Sequence, residues 1–239
     1  MAPEPAWSDE PLCSAEDKAR LESENSVDQL DYITYLVTER GDRRLTEGHL
    51  LELHRLAVRN IYVCAGTYRN ANHHMSMRGS SHQMPEAAAI PFLVPEMLSR
   101  IESGSMGGGH LGAAGYALWR INWIHPFAGG NGRTARAAAY LVCCMGLGYM
   151  PPGVPSIPNL LKEDQEGYTA ALRAVDASVV AGKEELSPIV ALMLTCFLKQ
   201  IANGVRDVPE AAPQFVALLR RITDRLKKML DAGSGTPAA

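Results

Sequence analysis

The residues best suited to chemistry lie in one segment of twelve, His125 to Arg136, which reads His-Pro-Phe-Ala-Gly-Gly-Asn-Gly-Arg-Thr-Ala-Arg. A glycine-rich turn that opens into a helix presents unpaired backbone N–H groups at the positive end of the helix dipole, where anions bind. Arg133 and Arg136 fall on one face of that helix, so both can contact the same polyanion. Since His125 can transfer a proton near neutral pH, the segment predicts a phosphate-bearing ligand beside a general base.

Each of these residues also has a purely structural interpretation. His125 alone would be read as a helix-ending histidine whose ring is satisfied by backbone groups, and the two arginines as part of a solvated helix face. The alanines around Arg136 and the nearby Tyr140 make a fully exposed face a poor explanation. A simple turn between helices needs neither Asn131 nor a pair of arginines, so the combination favours a ligand site.

Hydrophobic periodicity predicts an all-α fold around this segment. Two strongly apolar helices, 111–124 and 131–145, flank it, and the chain breaks between them because a residue before proline disfavours the helical region. These helices would hold the loop rigidly. The other predicted helices are 14–38, one after an N-cap at Thr46, 85–100, 163–181, 189–201 and 211–230, with a loop expected from Pro151 to Pro158.

The stretch from Gly66 to Met84 has a different character. It is rich in turn formers and alternates weakly, which predicts a short exposed β-hairpin flap. The whole pattern predicts an N-terminal extension over 1–13, one compact helical domain over 14–203, and a C-terminal helix with a flexible tail over 204–239.

Composition narrows the class of protein. The chain has 239 residues and a formal net charge of −3, which does not suggest a nucleic-acid binder. Its five cysteines form no CxxC pair, which argues against a disulfide framework and a zinc site and predicts a cytoplasmic protein. No signal peptide is visible, and the uncharged run that begins at Ala137 is too short to span a membrane. His73, His74 and His82 lack supporting ligands, so no metal site is predicted.

The segment from His125 to Arg136 resembles the signature of the Fic family, HPFx[D/E]GNGRxxR. The resemblance continues in two further stretches. Residues 65–69 with Met75, Ser76 and Met77 look like the family's flap, and residues 168–176 look like a helix that follows its core. The similar region covers most of Glu22 to Ile201, and it implies a compact helical Fic-like domain.

Members of this family usually transfer AMP from ATP to a hydroxyl of a target protein, with Mg²⁺. The resemblance implies that His125 deprotonates a Ser, Thr or Tyr hydroxyl of the target. It implies that Phe127 anchors the loop and that the flap residues Met75 to Met77 dock the target as an added strand. The phosphates would be held by Asn131 with the amides of Gly130 and Gly132 on the α- and β-phosphates, Arg133 on the β-phosphate and Arg136 on the γ-phosphate. The expected partners are therefore a nucleotide, an unidentified target protein and the chain itself through self-modification, and a homo-oligomer is compatible with the sequence.

Gly129 departs from the family signature. It stands where the signature has Asp or Glu, whose carboxylate holds Mg²⁺ according to the resemblance. Glycine cannot coordinate a metal, so Mg²⁺ would be bound only by phosphates and water, which is weak. Three outcomes are open: slow AMP transfer, transfer of another phosphate-containing group such as phosphocholine, or nucleotide binding without catalysis. Because His125 and both arginines are present, we favour an atypical transferase over a non-catalytic or weakly active regulatory module.

Glu24 and Asn25 resemble the inhibitory motif of the family, [S/T]xxxE[G/N]. In the family the glutamate of this motif pairs with the second arginine, so the resemblance implies a pair between Glu24 and Arg136 and an inhibitory role for the helix over 14–38. The match is partial, because Arg20 stands at the Ser/Thr position. The alternative is that Glu24 is an ordinary surface glutamate.

Overall fold

The computed structural model describes residues 11–71, 83–104 and 107–207. Within these ranges the chain forms α-helices and no β-strand. The helices are α1 (Ala15–Thr34), α2 (Glu47–Val58), α3 (Ile90–Ser103), α4 (Gly109–Ile124), α5 (Asn131–Leu147), α6 (Ile157–Glu163), α7 (Gln165–Val180) and α8 (Ser187–Asp207). The all-α class predicted from the periodicity is confirmed for the described residues.

The first two helices begin at side-chain caps. Ser14 accepts a hydrogen bond from the N–H of Asp17 at the start of α1, which continues into a π-helical turn over Tyr35–Glu39. Thr46 caps α2 and shares a reciprocal pair of hydrogen bonds with His49, three residues on. Such caps satisfy N–H groups that have no partner within the helix. The predicted start of α2 after Thr46 is therefore confirmed.

The central pair of helices is α4 and α5, which make the most extensive contact in the described fold. Both are buried around most of their circumference, as expected of helices that are apolar on nearly every face. Their large buried side chains include Tyr116, Trp119 and Tyr140. Helices α2 and α8 pack on this pair, and α1 packs on α2. The loop between α4 and α5 is thus held at both ends by helices that are buried in the core.

The remaining helices differ from the predicted boundaries. A 3-10 turn, Ala87–Ala89, precedes α3, so the helix predicted from residue 85 begins at Ile90. The proline-rich loop contains a short helix, α6, which carries a proline in its first turn, where proline is tolerated. Asp164 then separates α6 from α7 and caps α7 by accepting from the N–H of Gly167.

Helix α8 extends beyond its predicted range of 189–201. By length and composition alone, its stretch Ser187–Arg206 is apolar enough to cross a membrane. In the fold, however, it packs against α4 and α7 and contributes Ile189, Met193 and Phe197 to the core. Its apolar character is explained by that packing.

No β-hairpin is seen in the described part of the predicted flap. Residues 66–71 and 83–86 have irregular backbone. Several residues of the sequence analysis lie outside the described residues, so the roles given to them stay predictions: Met75, Ser76 and Met77 of the flap, His73, His74 and His82, and the helix predicted over 211–230.

Candidate functional site

His125 ends α4 in an unusual backbone conformation. Its φ of 51° and ψ of 57° are left-handed, which is uncommon for a residue with a side chain. The N–H of His125 still donates to the carbonyl of Ile121 at 2.9 Å, and its Nδ1 lies 3.3 Å from the carbonyl oxygen of Asn122. This conformation turns the chain sharply out of the helix and leaves the imidazole partly exposed at the start of the loop. Such strain is typical of functional positions.

Arg69 holds that turn in place. The buried guanidinium donates from Nε to the carbonyl oxygen of His125 at 2.7 Å and from Nη2 to the carbonyl of Pro85 at 2.6 Å. Its backbone N–H donates to the carbonyl of Pro126 at 2.9 Å. No local sequence pattern predicted this role of Arg69, because its partners are backbone groups that are distant in sequence.

Phe127 and Asn131 close the loop on itself. Phe127 is fully buried, which agrees with its expected role as an anchor. The N–H of Phe127 donates to Oδ1 of Asn131 at 3.0 Å, and Nδ2 of Asn131 donates to the carbonyl of Phe127 at 2.7 Å. Asn131 is itself buried, and both polar atoms of its side chain are hydrogen-bonded within the loop.

His54 also packs against the loop, although no local sequence pattern indicated it. Its ring stacks on Phe127 with centroids 3.7 Å apart. The N–H of Gly66 donates to Nδ1 at 3.0 Å, so the proton is on Nε2, which donates to the carbonyl oxygen of Gly129 at 3.0 Å. Burial lowers the pKa of His54 to about 4, which keeps the ring neutral. A neutral histidine of α2 thus connects Gly66 to the loop at Gly129.

The start of α5 has the geometry of an anion-binding site. Gly130 precedes the helix with a φ of 74°, and a Cβ there would lie 2.4 Å from Cγ1 of Val58, so only glycine fits. The backbone bond from Thr134 N–H to the carbonyl of Gly130, at 3.0 Å, is the first of the helix. The N–H groups of Gly132 and Arg133 therefore lie at the positive end of α5, without an acceptor in the preceding turn.

The two predicted arginines line one cleft of about 620 Å³ between α1, α5 and α6. Arg133 is mostly buried and donates from Nη1 to the carbonyl of Ala57 at 2.6 Å. The guanidinium carbon of Arg136 lies 6.0 Å from the ring centre of Tyr168. One turn of α5 thus presents both cations to the same cleft, as the spacing predicted.

Comparison with known proteins indicates a family. Residues 44–143 match the model of the Fic/DOC family, and this range contains the loop and the first part of α5. This region of the chain is therefore similar to the Fic/DOC family. Comparison with curated proteins gave no match.

Solved Fic structures have a similar fold. A Fic-domain-containing signaling protein from Bacteroides thetaiotaomicron has a TM-score of 0.60 at 21% identity, over 80% of this chain and 73% of that protein. Fic-1 from C. elegans, residues 134–508, has a TM-score of 0.61 at 20% identity, over 83% of this chain and 54% of that one. A Fic family protein from Desulfovibrio desulfuricans has a TM-score of 0.55 at 21% identity, over 82% and 60%. This chain therefore spans little more than half of the latter two, and the likeness concerns the fold.

Position 129 does not fit a divalent cation. Gly129 offers no ligand, and a Cβ there would lie 3.2 Å from Cε2 of Tyr62. The ammonium of Lys18 lies at that ring, where its Nζ donates to the hydroxyl of Tyr62 at 3.0 Å. Among the described residues, no three His, Cys, Asp or Glu side chains cluster as metal ligands would. A side chain at position 129 would therefore project against the Tyr62 ring, whose hydroxyl is bonded to Lys18.

Glu24 does not pair with Arg136 in the structure. It lies on the outer face of α1, 53% exposed, and forms an ion pair with Arg20 at 2.8 Å. Glu22, on the inner face, lies 3.6 Å from Nη2 of Arg133. Side chains two positions apart on an α-helix point in directions that differ by about 200°. Only one of the two glutamates can therefore face the site. Of these two glutamates, Glu22 is the one that approaches the site.

Proposed function

We propose that this Fic/DOC domain binds a nucleotide, with ATP as the donor, and transfers AMP or a related phosphate-containing group to a Ser, Thr or Tyr hydroxyl of a protein. One observation carries the proposal. The amides that open α5, the guanidinium groups of Arg133 and Arg136, and the imidazole of His125 belong to a single loop and helix start. That arrangement supplies anion binding and a base within one rigid element.

The phosphates would lie on the amides of Gly130 and Gly132, with Arg133 and Arg136 neutralising their charge. The rest of the nucleotide would extend into the cleft between α1, α5 and α6. Val27 and Leu30 are exposed on the α1 wall of that cleft, at 58% and 38%, and offer apolar surface to a base. This assignment uses the cleft that the two arginines already line.

His125 would act on the incoming hydroxyl. Its imidazole takes the proton of a Ser, Thr or Tyr hydroxyl as the oxygen attacks the α-phosphorus. The bond from that phosphorus to the oxygen bridging the β-phosphate breaks, and pyrophosphate leaves with the bonding electrons. The hydrogen bond from Nε of Arg69 to the His125 carbonyl would fix the base during this step.

A second function has its own support. Gly129 supplies no carboxylate, and the ring of Tyr62 crowds any Cβ at that position. Loss of metal assistance lowers rates by several powers of ten in metal-dependent phosphoryl transfer. The domain would then be a weakly active or non-catalytic nucleotide-binding regulatory module. The two functions differ in whether any product forms, which the following experiment measures.

The test is intact-mass measurement of the purified chain, alone and with candidate target proteins, after incubation with ATP and Mg²⁺. We expect a covalent increase of one AMP that is absent in His125→Ala and present in His110→Ala, an exposed histidine on the first turn of α4. A panel of other nucleotides and phosphocholine donors identifies the transferred group. If ATP binds and none of the donors gives a covalent product, the regulatory function is correct and the transferase function is wrong.

A further inference from the structure

Tyr62 occupies the space beside Gly129 and brings a cation there. The ring contacts the loop at Gly129, where a Cβ would meet Cε2 at 3.2 Å. The hydroxyl of the same ring accepts a hydrogen bond from Nζ of Lys18 at 3.0 Å, and Nζ lies 5.4 Å from the ring centre. The ring therefore links a loop position that lacks a charge to the ammonium of α1.

Lys18 faces inward while its neighbours do not. It is partly buried, whereas Asp17 and Ala19 on either side of it are exposed. Glu22 follows one turn later on the same face and reaches Arg133, so this face of α1 lies along the loop and the start of α5. An ammonium has three N–H donors, and only one is used in the bond to Tyr62. Two donors of the ammonium therefore remain for an anion while the bond to Tyr62 is kept.

The net charge that a carboxylate with a bound cation would add at position 129 can be compared with the charge that Lys18 adds. A carboxylate that binds one divalent cation adds one net positive charge beside the phosphates. Glycine with a lysine ammonium adds the same net charge, and no metal is required. A lysine is also an established kind of phosphate ligand, because its ammonium is a compact charge on a flexible stem.

We propose that Lys18, positioned by Tyr62, neutralises the phosphates of the bound nucleotide beside Gly129, so that nucleotide binding needs no divalent cation. This inference rests on the proposed nucleotide site. It assigns to α1 a binding residue instead of a purely inhibitory role. The Tyr62 hydroxyl is the positioning group, and Lys18 is the group that contacts the ligand.

The test is calorimetric titration of ATP and of adenosine into the full chain, in EDTA and in Mg²⁺. Wild-type affinity for ATP should be the same within about twofold in the two buffers. Lys18→Met, which keeps most of the stem, should weaken ATP binding in EDTA by about tenfold or more and leave adenosine binding unchanged. The matched control is Lys183→Met, an exposed lysine after α7, which should bind ATP as the wild type does. Tyr62→Phe should show a smaller loss than Lys18→Met.

Three results would overturn the inference. If Lys18→Met binds ATP in EDTA as tightly as the wild type while Arg136→Ala binds weakly, the site exists and Lys18 has no part in it. If EDTA weakens wild-type binding by tenfold or more, a divalent cation is needed after all. If the wild type fails to bind ATP in either buffer, or binds it as tightly as Arg136→Ala, the proposed function is wrong and this inference with it.

Discussion

Arg69 donates from Nε to the carbonyl oxygen of His125 at 2.7 Å, and so fixes the residue whose left-handed backbone ends α4. The same guanidinium binds the carbonyl of Pro85, which stands at the far end of the flap region. One buried cation therefore joins His125, the proposed base, to the loop and to the chain segments on both sides of the flap region. The arginine acts through His125 and is a positioning residue.

Replacing Arg69 should impair both stability and transfer. Arg69→Met leaves the carbonyls of His125 and Pro85 without their charged donor, which should lower the free energy of unfolding by about 2 kcal/mol or more. Arg69→Lys should recover only part of this, since a single ammonium cannot reproduce the planar fork. Urea unfolding measures the first effect and the rate of covalent modification the second. Arg206→Met, at an exposed arginine near the end of α8, is the control. Equal stability of Arg69→Met and the control would contradict this account.

His54 should make the fold sensitive to acid. Its pKa is lowered by burial from 6.5 to about 4, so the unfolded chain takes up a proton before the folded chain does. The stability that the neutral ring contributes is fully present above pH 6.5 and is lost as the pH falls to about 4, by about 3 kcal/mol.

The variant His54→Gln isolates this contribution. The difference in unfolding free energy between wild type and variant should shrink as the pH is lowered from 7 to about 4. Urea unfolding at several pH values gives the difference directly. A difference that stays constant over this range would show that His54 titrates normally in the fold.

The two glutamates of α1 should behave differently. Glu22→Ala removes the acid near Arg133 and should raise ATP affinity by about twofold to fivefold, because the pair is partly exposed and screened by salt. Glu24→Ala breaks only the exposed pair with Arg20 and should leave the affinity unchanged. Calorimetric titration compares the two. A gain for Glu24→Ala without one for Glu22→Ala would restore the inhibitory pair implied by the sequence motif.

Installing a carboxylate at position 129 should require a second change. Gly129→Asp forces the new Cβ against Tyr62 at 3.2 Å and should lower the free energy of unfolding by about 1 kcal/mol. Combining it with Tyr62→Ala should relieve that contact, make ATP binding depend on Mg²⁺ and raise AMP transfer. The measurements are thermal unfolding and intact mass with and without EDTA. A double variant without gain in metal dependence or transfer would show that the missing carboxylate does not limit the site.

The main features of the fold could be predicted from local signals. The helix start near Ser14, the cap at Thr46 and the break at His125 follow from short sequence patterns with direct physical causes. Helix α6 was missed because prolines in its vicinity indicated a loop, although proline fits the first turn of a helix. The start of the helix predicted over 163–181 was misplaced by two residues, because Asp164 is both a plausible helix residue and a cap.

The candidate site was predicted only where its residues are adjacent in sequence. His54 and Arg69 escaped notice because they act on the backbone of Gly129 and His125, and backbone partners leave no trace in the sequence. The motif-based choice of Glu24 failed for a related reason, since the direction of each glutamate depends on how α1 lies on α2 and α5. Long-range packing therefore determines the parts of the site that local sequence patterns do not predict.

The central claim is that phosphates bind at the amides that open α5. The most direct measurement is the set of ¹⁵N–¹H amide shifts of the full chain during titration with ATP and, separately, with adenosine. We expect the amides of Gly130, Gly132 and Arg133 to show the largest changes with ATP and little change with adenosine. ATP binding that leaves these three amides unshifted would contradict the claim.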